Sequence, residues 1–286
     1  MEKYTAHTSI ESATQKIDRL DAELLLAFVL GQTRTWLCAH DTDQMTSVQR
    51  RRFETLVARR EQSEPIAYLI GNTSFYARSF FTDKSALIPR PETEDAVTRA
   101  LSHLQTHPHD WVVWDVGTGS GVIAISVKAQ LPSVSVIASD LHKDALQLAK
   151  KNARRHTVRI SWVQADLFDA TIETKIRATR CSRLMIVANL PYLPISDKKT
   201  MMPDVKKYEP HQALFAKDDG MSLNKKLMRQ LAEWKQPLPF IAIMEFDPPQ
   251  SKQLLQKAKT LFPHARITIL KDMYHRQRFL EVVSLQ

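Results

Sequence analysis

The chain has 286 residues, 43% hydrophobic and 25% charged, a balance that suits one large globular domain or two unequal ones and not a disordered polymer. Lys and Arg outnumber Asp and Glu by 40 to 31, a net charge of +9, which serves solubility or attracts an acidic protein or RNA. The basic residues fall in short groups (Arg50-Arg51-Arg52, Arg154-Arg155, Lys198-Lys199, Lys206-Lys207), so a disordered nucleic-acid-binding arm is not expected. Cys38 and Cys181 are too few for a disulfide framework or a structural zinc site, and no metal is expected. The first residues lack an apolar signal core. The early apolar run 24–30 is far short of the ~20 residues that span a bilayer. A cytoplasmic location is expected.

Residues 1–72 read as short helices. Leu20, Leu24, Leu25, Phe28 and Val29 recur at helical spacing, and Gly31 stands where a C-terminal cap belongs. Thr46 and Gln49 have the form of a capping box opening a basic helix through Phe53, Leu56 and Val57. Pro65 suits a first helical position before 66–70, with Gly71 ending that turn. Residues 73–88 change to β-prone pairs, Phe75-Tyr76 and Phe80-Phe81, then Ala86-Leu87-Ile88. A hairpin-like connector is expected there, leading into the rigid Pro89-Arg90-Pro91. A helix follows over 92–104, acidic in its first turn.

From residue 111, apolar strand candidates (111–116, 135–139, 160–164, 184–188 and 240–245) alternate with helical segments, notably 122–130 and 143–155. This alternation predicts an α/β domain over 89–286 with a mostly parallel sheet covered on both faces. Two last strands, 266–270 and 279–283, are expected as an antiparallel edge.

Two loops carry chemistry. Asp115 is followed by Gly117-Thr118-Gly119-Ser120-Gly121, where a strand turns into a helix and a ligand can approach backbone amides. A dinucleotide fingerprint would place its third glycine at 122, which is Val. Asp140 ends the next strand, where a carboxylate accepts hydrogen bonds from ribose hydroxyls or merely caps a helix. Asp166-Leu167 ends the third, where a carboxylate and an amide could read adenine. Further on, Asn189-Leu190-Pro191-Tyr192 closes the apolar strand 184–188. An Asn side-chain oxygen and the Leu190 carbonyl can accept both N–H bonds of a planar NH2, and Tyr192 can pack on its plane. Orientation of this kind contributes up to ~7–11 kcal/mol in favourable cases. No general base stands out.

The Gly-X-Gly-X-Gly loop resembles the cofactor loop of class I S-adenosylmethionine-dependent methyltransferases, and Asn-Leu-Pro-Tyr resembles the Asn-Pro-Pro-Tyr of those that modify planar nitrogens. Three more stretches narrow the resemblance: Leu87-Ile88-Pro89-Arg90-Pro91-Glu92-Thr93-Glu94, Glu64-Pro65-Ile66-Ala67-Tyr68-Leu69-Ile70-Gly71 and Asp21-Ala22-Glu23-Leu24-Leu25-Leu26. With Tyr208-Glu209-Pro210, Ala213-Leu214 and Asp219-Gly220 in order behind them, they are similar to the release factor glutamine methyltransferases along nearly the whole chain.

This resemblance implies a Rossmann-like methyltransferase domain and a small N-terminal helical domain that docks the substrate protein. The reaction would be N5-methylation of the glutamine in the Gly-Gly-Gln loop of bacterial peptide chain release factors. The enzyme is expected to be monomeric, off the membrane and independent of nucleic acid. Gly117, Thr118, Gly119, Ser120, Gly121, Asp140, Asp166, Leu167 and Asn189 would contact S-adenosylmethionine. Asn189, Leu190, Pro191 and Tyr192 would hold the glutamine. Arg90 and Glu92 would line the pocket rim or serve as a cap and salt bridge. Leu190 replaces the family's usual proline, and Glu245-Phe246-Asp247 replaces its Glu-Ile-Gly, which puts a local turn in doubt. The alternatives are a ribosomal-protein glutamine, the N6 of adenine in ribosomal RNA or DNA, and an RNA-binding protein without catalysis.

Overall fold

A computed structural model describes residues 4–235 and 237–285. The chain divides into two compact units, Met1–Asn72 with Met201–Tyr208, and Thr73–Thr200 with Glu209–Gln286.

The first unit carries helices α1 (Ala6–Ala13), α2 (Arg19–Leu30), α3 (Arg34–Ala39), α4 (Ser47–Glu61) and α5 (Ile66–Ile70). Thr46 and Gln49 form the capping box of α4. Gly31 and Gly71 end α2 and α5 in the left-handed conformation that glycine adopts without a Cβ penalty. Pro65 stands one position earlier than expected, as the cap before Ile66. The buried face of α2 is Ala22, Leu25, Leu26 and Val29, packed with Phe53, Leu56 and Val57 of α4. Leu20, expected on that face, is 51% exposed, because the apolar stripe is centred on Leu25 and Leu26. Each fully buried Leu or Val contributes roughly 1.5–3 kcal/mol, so the displaced stripe and not Leu20 holds the helix down.

A hairpin of β1 (Asn72–Phe75) and β2 (Arg78–Phe81) begins at the boundary, all but Asn72 in the second unit. Its two-residue loop, Tyr76-Ala77, has φ of 50° and 55°, the sense that matches the twist of a hairpin. The Tyr76 N–H donates to the Glu94 carboxylate at 2.8 Å, which holds a loop that lacks glycine. Ala86-Leu87-Ile88 is not a strand. It runs irregularly, and the Ile88 N–H donates to Glu209 instead of a neighbouring strand. A 3-10 turn, Pro91–Thr93, then precedes α6 (Glu94–Leu104), so the expected helix starts two residues late.

The rest alternates: β3 (Trp111–Val116), α7 (Val122–Gln130), β4 (Ser135–Asp140), α8 (Lys143–Arg155), β5 (Ser161–Gln164), α9 (Ala170–Ala178) and β6 (Arg183–Ala188). There follow the short β7 (Leu193–Pro194), α10 (Pro203–Tyr208), which belongs to the first unit, β8 (Phe215–Ala216) paired parallel with β7, and α11 (Ser222–Ala232). β9 (Phe240–Glu245), α12 (Ser251–Leu261), β10 (Arg266–Lys271) and β11 (Gln277–Ser284) complete the chain. The seven-stranded sheet has the order β10-β11-β9-β6-β3-β4-β5. β11 runs antiparallel to both β9 and β10, while β9, β6, β3, β4 and β5 are mutually parallel.

Strand residues alternate between two cores, as the period of two requires. Val112, Trp114, Leu184, Ile186 and Ala242 face one helical layer, and Trp111, Val113, Met185, Val187, Ile241 and Ile243 face the other. Covered on both sides, these strands must be apolar throughout. Among the described residues, no helix is long and apolar enough to cross a membrane.

Candidate active site at the carboxyl edge of the sheet

Register brings the site together. Val116 lies beside Ser139 and Ala188, and Ala188 beside Met244. The next residue of each strand, Gly117, Asp140, Asn189 and Glu245, therefore falls in one row at the carboxyl edge. From β3 the chain order runs to β4 on one side and β6 on the other, the switch point where open α/β sheets bind ligands.

A cleft of about 140 Å³ opens at this row, lined among others by Ala86, Gly117, Asp140, Leu167, Asn189 and Leu190. Gly119, Asp166 and Pro191 also reach it. Larger hollows lie elsewhere, one of them within the helical unit, but they lack this convergence of strand tips. Gly117 has a φ of 66°, and a Cβ there would stand 2.8 Å from Leu190 Cδ2. The two loops thus meet closely, and the positive φ with the nearby Leu190 methyl favours glycine at 117. The Asp140 carboxylate accepts the N–H of Gly119 at 2.9 Å and of His142 at 2.8 Å. That uses two of its roughly four lone-pair sites and leaves acceptors for a diol.

Thr118, Ser120 and Gly121, expected at the cofactor, do not line the cleft; they build the loop. The Thr118 hydroxyl donates to Asp115 at 2.6 Å, the Ser120 carbonyl accepts from Asn152, and Gly121, at φ 84°, caps α7 against Ala149. Burial pushes the Asp115 carboxyl up to about 7, against the bonds from Thr118 and the Ala124 amide. Leu167 holds a φ of 63° at the tip of β5, a left-handed turn uncommon outside glycine. The Asp166 carboxylate also pairs with Lys226 at 2.6 Å.

The other side of the cleft rests on a side-chain network. Asn189 Nδ2 donates to Thr93 Oγ1 at 2.9 Å, and the Thr93 hydroxyl donates to Glu245 Oε2 at 2.9 Å. The Tyr192 hydroxyl donates to Glu245 Oε1 at 3.2 Å, so its hydroxyl end is turned to the interior and the residue does not line the cleft. Burial, with the Glu245 charge beside it, raises the Tyr192 phenol well above its ordinary value. Burial also lifts Glu245 to about 7, opposed by the Thr93 bond and by the Arg278 guanidinium. The Tyr192 carbonyl accepts from Gln250 Nε2 at 2.6 Å, and Gln250 also donates to the Asp219 carbonyl at 2.8 Å.

Arg90 and Glu92 serve as salt bridges. Arg90 pairs with Glu209 at 2.6 Å and Glu92 with Arg276 at 3.4 Å. The turn at 245–247 needs no glycine, since Phe246 is wholly buried and Asp247 has an ordinary φ of −80° with its own capping box to Gln250. Thr93, Glu209, Glu245 and Gln250 are neighbours of the site whose contacts the sequence did not reveal. A strand-terminal Glu closing the apolar 240–245 was the one available signal, and it acquires meaning only once β9 is known to lie beside β6.

This fold with this cleft defines a class I S-adenosylmethionine-dependent methyltransferase. The residues fit that cofactor, with a cradle of positive-φ glycines, a strand-tip carboxylate with spare acceptors, and apolar walls from Ala86, Leu141 and Leu167. Residues 6–71 match the family described as PrmC N-terminal domain, and residues 92–191 the methyltransferase small domain. A release factor glutamine methyltransferase of Staphylococcus aureus is 34% identical over 262 residues, covering 91% of this chain and 90% of that one. The release factor glutamine methyltransferase of Koribacter versatilis is 36% identical over 228 residues, covering 80% and 79%. The chain belongs to the release factor glutamine methyltransferase family. The solved catalytic domain of hMettl16 aligns with a TM-score of 0.54 at 14% identity, covering 84% of this chain and 82% of that one, a likeness of fold alone.

Proposed function

We propose that this methyltransferase acts on the side-chain amide nitrogen of the glutamine in the Gly-Gly-Gln loop of bacterial peptide chain release factors. The observation that carries the reading is the commitment of Asn189. Its NH2 is held by Thr93, which leaves Oδ1 as an acceptor, and Asn189 lines the same cleft as Gly117, Asp140 and Leu190, whose carbonyl is the second acceptor of this reading. Two acceptors so placed bind the two N–H bonds of a primary amide and direct the face of its nitrogen toward the cofactor side.

Bound S-adenosylmethionine supplies a methyl group made electrophilic by its positively charged sulfur. Gly117 and Gly119 let the backbone approach it, Asp140 takes the ribose hydroxyls, and Asp166 with Leu167 stands at the adenine end. Amide nitrogen is a weak nucleophile because its lone pair is shared with the carbonyl, so positioning contributes most of what the protein adds. The nitrogen would become cationic as it gains the methyl, the S–CH3 bond breaking to leave the neutral thioether S-adenosylhomocysteine, and would then shed a proton to water, so a strong base is not required. The helical unit docks the release factor. The reading includes a cytoplasmic, monomeric enzyme that needs no nucleic acid.

The test is transfer of labelled methyl from S-adenosylmethionine to purified release factor, with the same factor lacking its Gly-Gly-Gln glutamine as control. Label on the normal factor alone is expected. Label on neither, with the cofactor still bound, or label that follows a ribosomal protein or nucleic acid instead, overturns the substrate assignment.

A further inference from the structure

The Pro-Arg-Pro-Glu-Thr-Glu run has no task in the proposed function beyond its two anchors, Arg90 to Glu209 and Glu94 to the Tyr76 N–H. Between the anchors lies Thr93, 2% exposed, with both capacities of its hydroxyl in use. The sense of these bonds is dictated by chemistry. Thr93 Oγ1 donates to Glu245 Oε2 and accepts from Asn189 Nδ2, the one arrangement open to an ionised Glu245, and the Tyr192 hydroxyl at the other carboxylate oxygen favours that form. Only the NH2 end of Asn189 can answer a lone pair, and Oδ1 is thereby turned away from Thr93. A carboxamide is nearly symmetric in shape, so without such a partner its two ends exchange at little cost. The second oxygen of Glu245 receives the Tyr192 hydroxyl, so one carboxylate orders two residues of the Asn-Leu-Pro-Tyr loop.

We infer that Thr93 and Glu245 are positioning residues that lock the Asn189 carboxamide with its oxygen toward the incoming nitrogen. The inference rests on the proposed capture of a glutamine amide by Asn189. Neither residue touches the substrate; each acts through Asn189, Glu245 by way of Thr93. The three come from the turn before α6 and from the ends of β6 and β9, so the lock joins parts of the chain separated by 96 and 152 positions.

The lock and a mere packing role predict opposite rankings. Thr93→Val keeps the shape and removes the hydroxyl; Thr93→Ser keeps the hydroxyl and removes the methyl. Steady-state methyl transfer to release factor is measured for both, with cofactor affinity by calorimetry. The lock predicts that kcat of Thr93→Val falls by about 10–100-fold, the range that losing a hydrogen bond to a charged group supports. Cofactor affinity stays within about 2-fold, and Thr93→Ser restores most of the rate. Unchanged kcat in Thr93→Val, or a greater loss in Thr93→Ser, overturns the inference. If Thr93→Val does not fold, Thr93→Ser and Thr93→Ala, which differ by one oxygen, replace it, and equal rates in that pair overturn the lock. A wild-type enzyme that labels no release factor overturns the substrate reading and this inference with it. Labelling by the wild type together with an indifferent Thr93→Val overturns this inference alone.

Discussion

The two halves of the cleft are built by different means. On the cofactor side, the parts lie close in sequence, from Asp115 to Leu167, and the contacts are largely made by backbone: positive-φ glycines, strand-tip amides and one carboxylate that ties the glycine loop to its own turn. On the acceptor side, Asn189 and Tyr192 are held by Thr93, Glu245 and Gln250, side chains that come from far along the chain. A ligand shared across a fold class can be met by local backbone shape. A weak nucleophile that must be aimed calls for side chains fixed from several directions.

The largest effect is expected from Asn189→Ala, which should lower kcat/KM for release factor by at least ~10³-fold while cofactor binding stays measurable by calorimetry. If the rate survives, the acceptor half is misassigned. Gly220→Ala tests its scaffold. At φ 84°, a Cβ there would collide with the Tyr192 carbonyl and Gln250 Nε2. A loss of roughly 2–4 kcal/mol in a denaturant melt is expected from strain and overpacking, with the residual defect in KM for release factor and not in cofactor affinity. Asp140→Ala addresses the other half: a rise of about 10–100-fold in the dissociation constant for S-adenosylmethionine, with kcat at saturation much less changed. The reverse pattern would dissolve the division between halves.

The smallest effect is on stability against pH. Glu245 is raised by burial from 4.5 to about 7, with Thr93, Arg278 and Tyr192 pulling it down and Glu92 pushing it up. A carboxyl raised in the fold contributes stability that is full below its ordinary value and is lost as pH rises to about 7. Unfolding free energy should therefore decline over that window, and Glu245→Gln should decline less. Asp115, also raised to about 7, keeps part of the slope in both proteins. Parallel curves for the two would mean that Glu245 does not titrate there.

The same contrast explains what could be read from sequence. β3, α7, α8 and β9 fall where apolar periodicity and glycine placed them, because each is decided by its own residues. The glycine loop and Asp140 were legible for that reason. Ala86-Leu87-Ile88 misled because apolarity there serves the cleft wall and the Glu209 tie, not a strand. Leu20 misled because helical spacing admits neighbouring stripes and only packing against α4 chooses between them. Thr93 and Glu245 were legible as parts of motifs but not as partners. A Thr inside a proline-rich run and a Glu at a strand end become partners through strand order, which no local pattern encodes.

The touch between Leu190 and Gly117 has a bearing on how this enzyme can change over generations. With the Leu190 methyl 2.8 Å from the place of any Cβ at 117, the two positions are not free to drift separately. A larger residue at 117 meets two obstacles: the positive φ, which no change at 190 relieves, and the Leu190 methyl, which must shift or shrink. Sequences descending from this one should therefore vary more readily at 190 than at 117, and a library that randomises 117 should return chiefly glycine.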